Sequence, residues 1–167
     1  MAGALFLLLV LTAAFSEFFF RGKLTSTADL AAGFIEVSCM IAVTLLFYDL
    51  FKPVNKGLSL LALSLNLVGL VLELIQFIPQ GVNIGLGLHG FYWLLIGGLI
   101  FKSPFLPRIL GALPAFAGLC WLTFLLPALA NALSPYNLAA GLLGEGAVCL
   151  WLLVMGVNVQ RWKQQAA

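Results

Sequence analysis

A chain of 167 residues that is 63% apolar and only 8% charged, with a mean hydropathy of +1.13, has too little polar surface to cover a water-soluble core, so its solvent is lipid. Eight basic residues against six acidic ones give a net charge of +2. With no basic tail, that balance excludes nucleic acid as a partner.

The length accommodates about six spans of ~20 residues with short connections. Helices are the expected form, because lipid offers no partner to the backbone and the alternation of a barrel strand is missing. The fold class expected is therefore all-α, a polytopic six-transmembrane-helix bundle forming one transmembrane domain over residues 1–167.

In chain order the apolar stretches are Ala2–Phe20, Asp29–Leu50, Gly57–Ile78, Val82–Phe101, Ile109–Asn131 and Asn137–Gln160. The first has no basic n-region and no small-x-small site, so it reads as a retained helix and not a cleaved signal peptide. RGKLTSTAD follows it, and Ser26 or Thr27 is placed to cap the second helix. KPVNKG comes next, with Pro53 as the stop. PQG is a tight turn, KSPFLPR holds two prolines, and in ALSPY Pro135 is placed for the first turn of the last helix. Pro114 and Pro127 are expected to kink the fifth helix. Cys39, Cys120 and Cys149 sit in apolar stretches at spacings that suit neither zinc nor a redox pair, and read as packing residues.

Lysine and arginine set the expected orientation. Six spans put Lys52, Lys56, Lys102, Arg108, Arg161 and Lys163 on one side and Arg21 and Lys23 on the other. The first side is then cytoplasmic, with both termini inside. Under this topology Glu17, Glu36, Glu73, His89 and Glu145, from five different helices, all fall roughly 4–12 Å below the same outer boundary at 1.5 Å per residue. Ionisable groups at such depth are costly and point to a site.

Helical spacing adds to this. Asn66, Gly69, Glu73, Gln76 and Gln80 form one polar, small-residue stripe on the third span. His89 and Trp93 share a face of the fourth, Gly141 and Glu145 a face of the sixth, and Gly33, Glu36 and Met40 a face of the second. Small residues beside polar ones allow helices to approach and side chains to meet.

The segments PVNKGLSLLA (53–62), GLHGFYWLLIGGLIFKSPFLPRILG (87–111) and GEGAVCLWLLVMGVN (144–158) resemble the family of bacterial integral membrane proteins called DUF4386, with FLPRILG and the upstream GLH as the most specific part. The resemblance implies a six-helix protein of a bacterial cytoplasmic membrane and carries no function with it.

Three functions of different class are consistent with these residues. The first is a non-enzymatic protein binding a lipid-like or amphipathic ligand in a polar pocket in the outer half of the bundle. Glu36, Glu73, Gln76, His89 and Glu145 would make its polar contacts, and Trp93 an apolar wall. The second is an accessory subunit of a larger membrane complex, with Lys56, Phe105 and Arg108 on the docking surface. The third is a proton- or cation-coupled carrier or an intramembrane enzyme using the carboxylates as acid and base. No cofactor is expected. Nor is a metal, because no HxxH, HxxE or ExxH spacing occurs. No catalytic residue is assigned, since GxSxG is missing and no Asp lies in the outer layer.

Overall fold

Helix is the only regular structure among the described residues. A computed structural model describes the backbone of residues 27–75 and 81–166, and the side chains of 37–73, 75 and 81–166. The helices are α1 (Thr27–Phe51), α2 (Lys56–Leu74), α3 (Ile84–Lys102), α4 (Ala112–Leu122), α5 (Pro127–Leu133), α6 (Tyr136–Val154) and α7 (Val159–Ala166). Short 3-10 turns, Arg108–Gly111 and Thr123–Leu125, extend α4 at both ends.

Four stretches are long and apolar enough to cross a membrane: Lys56–Glu73, Ile84–Lys102, Arg108–Leu125 and Tyr136–Val154. These make the chain a membrane protein. Four, not six, is therefore the span count among the described residues. The predicted second span coincides with α1, whose described apolar part, Val37–Phe51, is shorter. The predicted first span, with Glu17, lies outside the described residues.

Two predicted boundaries need correction. The stretch Ile109–Asn131 is not one helix. Leu126 is extended (φ −120°, ψ 94°) and Pro127 opens a separate helix, because proline lacks an N–H and crowds the residue before it out of the α region. The stretch Asn137–Gln160 also divides. It stops at Val154, and Gly156 turns the chain with φ +66°, a conformation that glycine adopts without strain. The starts of α2 and α3 are capped as turn chemistry demands. The Asn55 side chain accepts from Leu58 N–H at 2.9 Å and that of Asn83 from Leu86 N–H at 3.0 Å.

α3 is the central helix. It packs against α2 on one side and α4 on the other, with α6 on α4 and α1 on α2. More than half of its length is buried, against about a third for each of the other spans. The core it shares is aromatic, built on Phe47, Phe51, Tyr92, Trp93 and Trp121. Leu61, Val71, Phe116, Leu119, Leu143 and Leu150 point outward and are exposed, which is the surface that acyl chains cover.

One end of the bundle is tied together by α7. Trp162 Nε1–H donates to Leu50 O at 2.9 Å, the Gln165 amide to Pro53 O at 3.3 Å, and Asn158 N–H to Phe105 O at 3.1 Å. The loops after α1 and α3 therefore meet α7 at the same end. Phe105, expected on a docking surface, is a core residue there, 3% exposed and stacked on Phe51. Lys56 and Arg108 are exposed at this end.

Candidate functional site

Polar groups from five helices meet within the aromatic core. The chain of contacts starts on α1, where the Thr44 hydroxyl donates to the Met40 carbonyl at 2.7 Å. A hydroxyl has one hydrogen. The Asn66 amide on α2, 2.6 Å from Thr44 Oγ1, must therefore donate to it. That turns Asn66 Oδ1 toward α3, where it lies 2.8 Å from His89 Nδ1. An amide oxygen only accepts, so Nδ1 carries a hydrogen.

The other ring nitrogen is defined independently. Trp93 Nε1–H, one turn along α3, approaches His89 Nε2 at 2.9 Å, and an indole N–H only donates. The contact needs the Nε2 lone pair. Both nitrogens thus assign the same neutral tautomer, Nδ1–H. Glu145 on α6 then places Oε1 3.1 Å from Nε2. Two bare acceptors would repel at that distance, so the contact needs a hydrogen. On the carboxyl it shares the single Nε2 lone pair with Trp93, and on the ring it displaces the Trp93 bond and makes an imidazolium. Trp121 Nε1–H from α4 donates to the same Oε1 at 2.5 Å.

The cluster is sealed. Thr44, Asn66, His89, Trp93, Trp121 and Glu145 are all buried, Glu145 to 2% exposure. The Tyr92 and Trp121 rings lie 6.0 and 5.6 Å from the imidazole centroid. Beside them the Tyr92 hydroxyl is buried near the Thr44 side chain, without a well-formed hydrogen bond among the described residues. Local sequence explains the positions. His89 and Trp93 are four apart, and so are Gly141 and Glu145. A Cβ at Gly141 would sit 2.8 Å from the Trp121 ring, so the missing side chain makes the notch in which the indole lies while it donates to Glu145.

Of the residues expected in a polar layer, the structure brings His89, Trp93 and Glu145 into contact. Glu73 is half-buried near the C-terminal end of α2, with its side chain against the surface that Gly85 leaves open on α3. Glu36 lies on α1, its side chain outside those described, and Gln76 lies outside the described residues. Sequence reasoning left Thr44, Asn66 and Trp121 out of the site. Asn66 stood in the α2 stripe, seven residues from Glu73. Trp121 had a signal too, because a buried indole N–H inside an apolar span needs an acceptor. Thr44 had none, since a helical threonine can satisfy itself on its own backbone.

Comparison with known proteins gives one match. The model of a family described as a domain of unknown function, DUF4386, matches residues 69–156, more than half of the chain, and the chain belongs to that family. No curated protein and no solved structure matches it.

Proposed function

We infer, for this member of the family, that His89 and Glu145 form a buried proton-binding site, and that the protein is a non-enzymatic multi-pass membrane protein whose helix packing responds to the position of that proton. The observation that supports this most directly is the 3.1 Å approach of Nε2 to Oε1, with every other bond in the chain already committed to a donor or an acceptor role. Ionisable pairs inside a membrane characteristically serve proton relays and coupling sites.

In the six-span arrangement, the pair belongs to the outer half of a bundle in a bacterial cytoplasmic membrane, with both termini inside. His89 lies five residues into α3, about 7–8 Å from its start at 1.5 Å per residue. The basic residues at the α7 end support that orientation. A second reading, a pocket for the polar head of a lipid-like ligand, draws on the buried Tyr92 hydroxyl, which makes no well-formed hydrogen bond among the described residues, as a contact such a ligand would take up.

The chain has one histidine, so the test is direct. In 15N-histidine-labelled protein, the ring signals should report Nδ1–H with Nε2 unprotonated, and should change over a pH titration. Glu145→Gln keeps the shape and the acceptor for Trp121 but carries no exchangeable acid, so that change should disappear or move. A ring that responds to pH identically in wild type and E145Q refutes proton sharing and leaves the cluster as a lock on helix register.

A further inference from the structure

Where the loops 52–55 and 103–107 meet α7, a cleft of about 530 Å³ is lined by Ser103, Leu106, Arg108, Arg161, Gln164 and Gln165. It lies at the opposite end of α3 from His89 and is independent of the proton site. Its lining includes two guanidinium groups and two side-chain amides, and no acidic side chain. Asp49, at the same end, is already taken, 2.7 Å from Lys52 Nζ.

Part of the lining is held by the fold. Arg161 gives one N–H to Pro104 O at 3.2 Å, Gln165 donates to Pro53 O at 3.3 Å, and the Ser103 hydroxyl donates to Ile100 O at 3.0 Å. These bonds fix the walls and leave the rest of the Arg161 fork to face the cleft alongside Arg108. Paired guanidinium forks match the oxygens of a phosphate, each offering parallel N–H donors.

The surroundings indicate what carries the phosphate. Leu106 supplies an apolar wall. Ile109, next to Arg108, is 80% exposed. Trp162, on the short helix that carries Arg161, is an interfacial residue by type and is half-buried here. A cationic cleft bordered by exposed apolar surface at the end of a transmembrane bundle suits a charged head and an acyl chain together. We propose that this cleft binds a phosphate-bearing anion, and that the phosphate is the headgroup of an anionic phospholipid from the leaflet at the α7 end.

The test uses the full chain, delipidated in neutral detergent. Thermal unfolding is followed against short-chain phosphatidylglycerol, phosphatidylcholine of the same chain length, and inorganic phosphate. R108Q/R161Q removes the lining charges, while K102Q/K163Q removes the same net charge outside the lining. Phosphatidylglycerol should stabilise wild type and K102Q/K163Q alike. Its half-saturation should weaken about tenfold or more in R108Q/R161Q, the equivalent of one charge-assisted hydrogen bond. R108Q alone keeps the test open if loss of the Arg161–Pro104 bond harms folding, and should weaken binding several-fold.

If both double variants weaken equally, or neither does, the attraction is diffuse and the cleft is not a site. If phosphatidylcholine stabilises wild type as well as phosphatidylglycerol does, the anionic headgroup is refuted. If inorganic phosphate alone reproduces the stabilisation at similar concentrations, the phosphate site stands and its lipid source is overturned.

Discussion

Adding one methyl group between α3 and α4 should separate the helices that carry His89, Trp93 and Trp121. Gly90 and Gly118 meet backbone to backbone. A Cβ on Gly118 would stand 2.6 Å from Gly90 O and 2.9 Å from Leu94 N, and one on Gly90 would stand 2.8 Å from Gly118 O. The first distance is about 0.8 Å inside the 3.4 Å at which ordinary contact begins. The obstructing atoms are backbone, so no rotamer change relieves the clash and the helices must move apart.

Overpacking of a close-packed contact costs about 1–3 kcal/mol, and the expected loss for Gly118→Ala is at the upper end of that range. Gly98→Ala and Gly146→Ala are internal controls, because a Cβ at either position meets nothing within 4 Å. There the gain in helix propensity, about 0.5–1 kcal/mol, is unopposed. The double variant G90A/G118A should cost less than the two single losses together, since the first methyl opens the gap that the second occupies. Denaturant titration in detergent, followed by tryptophan fluorescence, reads all five proteins. If G118A unfolds with G98A and G146A, the α3–α4 crossing described here is wrong.

Asn66→Leu removes the link between Thr44 and His89. It should cost about 1–3 kcal/mol for the donors and acceptors left buried, measured in the same titration, and should alter the ring tautomer signal of His89. Loss of stability without any change at the ring would show that Nδ1 is held by something else. Trp162→Phe keeps an aromatic ring but removes the bond to Leu50 O. It should cost about 0.5–1.5 kcal/mol and speed proteolysis within residues 155–166, leaving α3 and α6 unaffected. Unchanged cleavage there would mean that α7 is not fastened by its indole.

Much of the site was legible because helical spacing reports which residues share a face. His89 with Trp93, and Gly141 with Glu145, were paired by spacing alone, and the stripe on α2 faces α3 through Asn66, Gly69 and Glu73 as its steps of three and four require. Depth set His89 and Glu145 in one layer, and those two meet. Contacts between helices were less accessible. Nothing in the spacing places Trp121 of α4 against Glu145 of α6, because that meeting depends on the notch at Gly141. Phe105 illustrates the reverse error. It lies in a polar, proline-rich connection and reads as surface, yet the loop folds back so that its ring stacks on Phe51 at 5.9 Å. The break at Leu126 was present in the sequence as Pro127, but hydropathy runs through it without interruption.

Under the proposed proton sharing, the two positions of the hydrogen differ in which tryptophan they favour, and this gives protonation a route to the helix packing. With the hydrogen on Glu145, His89 Nε2 is an acceptor, and its single lone pair is shared between the carboxyl and the Trp93 indole 2.9 Å away. With the hydrogen on the ring, Nε2 can no longer accept from Trp93. The carboxylate then takes a charge-assisted bond from Trp121, and such bonds are about twice as strong as neutral ones. The two indoles belong to different contacts. Trp93 packs edge-on against Phe47 of α1 at 6.1 Å, whereas Trp121 is wedged against Gly141 of α6. In the proposed sharing, transfer of the hydrogen from carboxyl to ring removes a bond within α3 and strengthens the one that joins α4 to α6. Under that proposal, the position of one proton decides which of two indole bonds is made, one within α3 and one between α4 and α6.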